Sequence, residues 1–339
     1  MKKKILLVGG CGFIGHNLSL FLTKKGHHVS IIDSLSVNNL LTFNDPDIID
    51  KDLFRLILNE RIDLINSKKL DFHVIDARNY HAYSKIISDF KPDTIIHLAA
   101  VSHSSRSNKN PHDTFDHSLR TLENTLDVSR ERGTHVIYLS SSMVYGNFDG
   151  ASVNELSDCK PIGIYGSLKL AGEIMVKAYN QVYNLPYTII RPSALYGERC
   201  VSRRVGQIFI ENLLNNKELS INGDGNEKLD FTYIEDLMDG IEKCCINDNA
   251  KNETFNLTFG NAKSVNELIN ILKKNFKDVV VTYKSKEKFN PERGTLEILK
   301  AKSKINYNPN FSLEVGYQKY IDWYKEFYSR KKINVIKAK

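Results

Sequence analysis

Apolar residues in the first half of the chain fall into two alternating patterns. Short runs at Ile5–Val8, Val29–Ile32, Phe72–Ile75, Thr94–Val101, Val136–Leu139 and Tyr187–Ile190 are rich in β-branched residues and bounded by turn or polar positions. Continuous runs of this kind suit strands buried on both faces, as in a parallel sheet covered by helices. Between them, apolar residues return at helical spacing, at Ile14, Leu18 and Phe21/Leu22, and again at Leu119, Leu122 and Leu126. The alternation predicts right-handed βαβ units in an α/β fold, a doubly wound parallel sheet over residues 1–190.

One stretch breaks the rhythm. Residues 36–70 are long for a connection, and Leu53-Phe54 with Leu56-Ile57-Leu58 reads as an extra helix. It is either an insertion whose apolar stripe packs on the body, or a subunit contact or lid. From about Arg191 the pattern is more mixed. Helices near Val205–Asn215, Glu235–Cys244, Val265–Asn275 and Val315–Tyr328 alternate with short strands. This predicts a smaller C-terminal α/β lobe over 191–330, with part of 228–262 returning to the first domain and a basic tail at 331–339.

Composition narrows the picture. With 41% hydrophobic and 26% charged residues over 339 positions, the chain reads as globular rather than disordered or fibrous. The net charge of +7 comes from the ends: Lys2, Lys3, Lys4, Arg330, Lys331, Lys332, Lys337 and Lys339 lie in acid-free tails. The body between them is close to neutral, which argues against a nucleic-acid partner. No apolar run approaches the ~18 residues a membrane-spanning helix needs, and Lys2–Val8 stops at Gly9 with no cleavage site after it. Five cysteines, Cys11, Cys159, Cys200, Cys244 and Cys245, show neither a disulfide framework nor ligand spacing, as in a reduced, cytoplasmic protein.

Candidate chemistry begins at Gly9-Gly10-Cys11-Gly12-Phe13-Ile14-Gly15, directly after the first strand and opening the first helix. Gly9 suits a tight turn, Gly12 lets backbone approach a pyrophosphate, and Gly15 lets the helix pack on the strand. Phe13 and Ile14, between them, begin a helix whose free N–H groups and partial positive charge favour phosphate. Asp33 ends the second strand 18 residues beyond Gly15. A carboxylate there binds both ribose hydroxyls and repels a 2′-phosphate, so NAD is expected rather than NADP. The fold is thus expected to be Rossmann-type.

Two more strand ends face the same edge. Asp76-Ala77 follows the third run, where Asp76 either meets an adenine edge or caps a helix starting near Tyr80. Leu98, Ala99 and Ala100 follow the fourth, small enough for backbone to lie against a nucleotide; His97 before them reads as a core histidine. His103, His112 and His117 lack partners at metal-ligand spacing, so no metal is expected.

Tyr165 and Lys169 stand four residues apart on one helix face, and Ser140-Ser141-Ser142 ends the fifth strand upstream. Tyrosine, with a free pKa near ~10, is a poor base at neutral pH. A neighbouring ammonium and an oxidised nicotinamide favour its phenolate, and a serine hydroxyl there would steer a substrate oxygen toward it.

These motifs resemble the extended short-chain dehydrogenase/reductases acting on nucleotide sugars, the nucleotide-sugar 4-epimerases above all. The resemblance continues through Ser140–Gly146, Arg191-Pro192, Leu195–Gly197, Gly223–Gly225, Asp230–Asp236, Arg293 and Pro309, nearly the whole chain. It implies Tyr165 as acid/base, Lys169 on the nicotinamide ribose and Ser141 on the reacting hydroxyl. It also implies a second lobe gripping a nucleotide-diphosphate sugar, and a homodimer through two helices of the NAD domain.

Departures sharpen the expectation. The family's dehydratases and decarboxylases carry a carboxylate after the catalytic Ser/Thr, where this chain has Ser142 and Met143. Met143 cannot exchange a proton, which favours epimerisation through a 4-keto sugar. A dehydratase, decarboxylase or reductase, or an NAD-sensing scaffold, is the alternative. Family asparagines are replaced by Ser118 and Ala194, and the diphosphate arginine by Leu229 beside Lys228. Arg199, Arg203 and Arg204 either take over the diphosphate, since guanidinium forks match phosphate oxygens, or form a solvated basic loop. Ser141, Ser142, Arg199, Arg204 and Arg293 are the substrate-binding candidates.

Overall fold

The computed structural model describes residues 2–42, 50–101, 104–285 and 291–331; His103 and most of the basic tail lie outside them. Nine strands organise the fold: β1 (Lys4–Val8), β2 (His28–Asp33), β3 (Asp71–Val74), β4 (Thr94–His97), β5 (His135–Leu139), β6 (Tyr187–Arg191), β7 (Leu219–Asn222), β8 (Glu253–Asn256) and β9 (Val281–Lys284). Seven of them form one sheet in the order β8-β6-β5-β4-β1-β2-β3. Every pairing in that sheet is parallel. This is the doubly wound, Rossmann-type sheet that the alternating runs predict.

The apolar runs are continuous because both faces are covered. Ile5 and Leu7 of β1 join one core cluster, while Leu6 and Val8 join another on the opposite face. The Thr94–Val101 run, however, yields a strand only to His97. Leu98 N–H donates to Val8 O at 2.8 Å, and the chain then passes over the glycine loop instead of continuing the ladder.

The helices carry their own start signals. α1 (Phe13–Lys24) follows the glycine loop, and α2 (Lys51–Ser67) is capped by Asp50, which accepts from Leu53 N–H at 2.9 Å. α3 (Tyr80–Phe90) is capped by Asn79 rather than by Asp76. α4 (Thr121–Arg130) and α5 (Gly163–Tyr183) cover the β4–β5–β6 side. Asn108, on a short helix of its own, accepts from Ile164 N–H at 3.1 Å and so caps α5. A π-helical turn, Asp116–Arg120, leads into α4.

The second half builds a lobe from β7 paired with β9, together with α6 (Val205–Leu214). α7 (Ile234–Ile246) packs on α1 and is followed by β8 at the sheet's edge. α8 (Val265–Asn275), with a Ser264/Glu267 capping box, packs against α9 (Leu313–Arg330). Tyr196, Tyr233, Tyr317, Tyr320 and Tyr324 form a continuous aromatic core here. Asp230 joins this lobe to the sheet's edge by accepting from Thr258 Oγ1, Gly260 N–H and Leu296 N–H, at 3.0, 3.1 and 3.0 Å. Burial pushes its carboxyl up to about 6.

The stretch after β2 packs its stripe inward. Leu53, Phe54, Ile57, Leu58 and Ile65 of α2 all belong to the main core, and α2 lies on α1. Ile57 is 1% exposed. An Ile57→Ala substitution is expected to cost about 2–5 kcal/mol in urea unfolding. A loss under half a kcal/mol would show α2 to be detachable from the core.

Candidate active site

The glycine loop is shaped by contacts that leave no room for side chains. Gly9 has φ +81°, and a Cβ there would lie 2.8 Å from Ala99 N; at Gly15 it would lie 2.5 Å from Gly10 Cα. Gly12 is the N-cap of α1 and supplies no side-chain cap, so the first-turn N–H groups face outward. Asp33 fixes the loop from the next strand: its two oxygens accept from Cys11 N–H at 2.8 Å and from Leu35 N–H at 2.7 Å. Burial raises the Asp33 carboxyl, and those two N–H groups oppose the shift.

One cavity runs along this edge. Its lining includes Gly9, Gly12, Phe13, Ile14, Gly15, Asp33, Asp76, Ala77, Leu98, Ala99 and Ala100. The strand-end residues singled out from sequence therefore face one space. Asp76 is already engaged: Arg78 grips it with contacts of 2.7–3.1 Å and reaches Asp116 at 2.8 Å. Burial works against its charge, but Arg78 holds the carboxyl below the usual range.

Ser141, Ser142, Tyr165 and Lys169 line neither this cavity nor the next one. They gather at the carboxyl end of β5. A Cβ at Gly166 would lie 2.7 Å from Met143 O, and one at Gly172 2.3 Å from the Tyr138 hydroxyl. Those two glycines let α5 lie directly on β5 and the turn after it. Ser141 Oγ accepts from Met143 N–H at 3.2 Å. Lys169 Nζ donates to Leu139 O at 2.6 Å and sits 5.1 Å from the Tyr138 ring centre. Burial pushes the Lys169 amine down to about 8, with Glu173 opposing. His97 is a core residue: its Nδ1 lies 2.9 Å from Thr125 Oγ1, and burial with the Lys169 charge lowers it to about 3.

A second cavity lies between β7, α6 and the loop around Arg293. Arg204 lines both cavities, and Arg293 lines this one. Burial, then the neighbouring Arg204 charge, lower the Arg293 guanidinium to about 10. Arg199 lines neither. Its guanidinium donates to His16 Nε2 at 2.9 Å and Asn17 Oδ1 at 2.8 Å, and pairs with Glu60 at 3.6 Å. Among the substrate candidates, Arg199 is thus placed as a tie between the lobe and α1.

Two buried charged residues, Glu173 and Arg61, escape the sequence reading. Glu173 accepts from Ser140 Oγ at 2.5 Å and pairs with Arg191 at 2.6 and 2.9 Å, joining α5 to the ends of β5 and β6. Its place four residues after Lys169 was a legible signal. Arg61 of α2 lines the first cavity. Among the described residues, Tyr196 Oη, Ser220 Oγ, Glu227 Oε2 and Arg293 Nε, the last on a candidate already read from the sequence, are buried without a hydrogen-bond partner, and all four residues line the second cavity.

The model of the NAD dependent epimerase/dehydratase family matches residues 5–258. The chain belongs to that family. It is 29% identical to the UDP-glucuronate 4-epimerase of Thermodesulfobacterium geofontis, over 95% of this chain and 96% of that one. Its structure superposes with TM-score 0.85 on the Bacillus cereus UDP-glucuronic acid 4-epimerase in complex with UDP-glucuronic acid and NAD. That pair is 27% identical and covers 96% of this chain and 100% of the other. A Thermotoga maritima UDP-glucose 4-epimerase with UDP-glucose gives TM-score 0.84 at 26% identity, covering 95% and 99% of the two chains.

NAD is therefore the cofactor of this epimerase/dehydratase, and the residues fit it. Gly9 and Gly15 let the loop fold tightly against Ala99 and Gly10, Gly12 at the start of α1 presents backbone to the cavity where a diphosphate would lie, and Asp33 supplies a carboxylate for a ribose diol. Among the described residues, no cluster of His, Cys, Asp and Glu suits a metal, and no helix is long and apolar enough to cross a membrane. In a Gly9→Ala variant the left-handed backbone alone costs about 1–3 kcal/mol, and the methyl meets Ala99. The purified variant is expected to carry little NAD when nucleotide released by heat is quantified. Full NAD occupancy would contradict the close approach.

Proposed function

We propose that this chain is an NAD-dependent nucleotide-sugar 4-epimerase. The observation that carries the proposal is the packing of α5, which bears Tyr165 and Lys169, on the end of β5 and the turn that holds Ser141, with Met143 where an eliminating enzyme needs an acid. NAD, when bound, supplies the acceptance and return of a hydride at the sugar's C4.

The chain's own residues handle the proton and the geometry. Tyr165 Oη takes the proton of the 4-hydroxyl and later gives it back, while Ser141 Oγ orients that hydroxyl toward it. Lys169, tied to Leu139 O, sets its charge one helical turn from Tyr165 and holds the nicotinamide ribose. Between the two proton transfers the 4-keto sugar presents its opposite face, so C4 returns with inverted configuration. Ser142 and Met143 offer no group of suitable acidity to expel water from the ring.

Arg204 and Arg293 support binding of the substrate's diphosphate, since both arginines line one cavity and Arg293 Nε has no partner among the described residues. The same unpartnered set in the second cavity supports a polar, hydrogen-bonding ligand there. The sequence division, with an NAD-binding domain at 1–190 and a mainly substrate-binding lobe at 191–330, follows this assignment. Exposed Ile174, Val182 and Tyr183 on α5 support a homodimer through the helices of the NAD domain. Five free cysteines support a reducing, cytoplasmic setting.

The test is conversion of UDP-glucose, UDP-glucuronate and UDP-N-acetylglucosamine by the purified protein, read by NMR and mass spectrometry. One of them is expected to yield its 4-epimer at unchanged mass. Tyr165→Phe is expected to lower kcat by roughly 10²–10⁴-fold. A Tyr165→Phe enzyme of near-normal rate would overturn the assignment. Loss of water or carbon dioxide would replace epimerisation by elimination or decarboxylation.

A further inference from the structure

The helix α2 carries a charge that its packing role does not explain. Arg61 is 1% exposed, yet it lines the same cavity as Gly12, Phe13, Ile14 and Asp33. Its Nε and Nη2 donate to Arg199 O at 3.1 and 2.5 Å, and its Nη1 lies 3.4 Å from Cys11 O. All three contacts are to neutral carbonyls. Among the described residues no carboxylate lies within ion-pair distance of this guanidinium.

Burying a cation without a counter-ion is costly, and carbonyl dipoles compensate it only in part. Asp33 acts on Arg61 electrostatically, but its own two oxygens already accept from Cys11 and Leu35. Arg199, which opposes Arg61, is paired with Glu60. Glu60 is shared with Arg330 at 2.8 Å, so three guanidiniums meet the two carboxylates of Asp33 and Glu60, and one positive charge is left over on the wall of a cavity that also receives the N-terminus of α1. Cys11, whose carbonyl Arg61 approaches, directly precedes the N-cap Gly12.

We propose that Arg61 is a cofactor-binding residue: the diphosphate of NAD, held at the N-terminus of α1, is the counter-ion that this buried guanidinium lacks. The 36–70 stretch then serves two ends at once. Its apolar stripe completes the core over α1, and its one inward cation raises the affinity of the glycine loop for phosphate. A dianion shared between helix N–H groups and a guanidinium is a strong, charge-assisted arrangement. The proposal rests on the NAD assignment and is independent of which sugar is turned over.

The experiment compares wild-type protein with Arg61→Gln and Arg61→Lys, each freed of nucleotide and titrated calorimetrically with NAD, ADP and adenosine. Glutamine keeps an amide for the carbonyls but removes the charge; lysine keeps the charge but loses the fork. In Arg61→Gln the affinities for NAD and ADP are expected to fall about tenfold or more, with adenosine unchanged. Arg61→Lys is expected to fall between the two. Undiminished NAD and ADP binding by Arg61→Gln would overturn the proposal. So would an equal loss for all three ligands, which marks Arg61 as a staple of the two carbonyls alone. Should Arg61→Gln fail to fold, the ratio of ADP to adenosine affinity in Arg61→Lys decides: a selective loss supports the role, and an unchanged ratio overturns it. Wild-type protein that binds none of the three would instead refute the NAD assignment itself.

Discussion

A single buried amine connects the parts of this molecule that matter. Lys169 reaches from the middle of α5 to the last carbonyl of β5. That hydrogen bond fixes how far the helix sits along the sheet, and therefore where Tyr165 lies relative to Ser141. The ammonium is taken out of water to do so, which is why its affinity for a proton drops. Two features make the burial tolerable. The Tyr138 ring lies beneath the charge, and Glu173, one turn further along α5, adds a favourable field. Glu173 is itself held by Ser140 and Arg191, so the charged layer joins α5 to the ends of two neighbouring strands. Gly166 and Gly172 permit the close packing on which the whole layer relies.

The second constraint is the joint between the lobes. The segment after β6 turns back over α1, where Arg199 engages His16, Asn17 and Glu60. Tyr233 donates to Glu198 at the same place. Arg199 has φ +61°, so its backbone adopts a conformation that an arginine enters only when surrounding contacts hold it there. Beyond this joint the chain continues to Arg204, which among the described residues is the one arginine that lines both cavities. A ligand spanning the two would be sensed by both lobes through that side chain.

Much of this was legible in the sequence, because period and position carry it. The runs at Ile5–Val8 and Val136–Leu139 read as doubly buried strands since no charged residue interrupts them, and they are interior in the sheet. The glycine loop and Asp33 were legible because backbone conformation dictates residue type there. What escaped were properties of direction. The spacing of Arg199, Arg203 and Arg204 says nothing of which guanidinium turns toward α1 and which lines the cavities. Of the two readings of Asp76, the helix cap falls to Asn79, while Asp76 itself lines the first cavity with Arg78 paired to it. Arg61 was hidden in an apolar stripe, where a lone arginine reads as the polar edge of a helix rather than as a buried charge.

The central claim is that the proton and the hydride of one C–H/O–H pair part company and then return, the proton by way of Tyr165 and the hydride by way of retained cofactor. It is tested most directly with a nucleotide sugar deuterated at C4, turned over in ordinary water and examined by NMR and mass spectrometry. The account predicts that the epimer keeps the deuterium at C4 in full, because the hydride never meets solvent. Replacement of that deuterium by solvent hydrogen during turnover would contradict it.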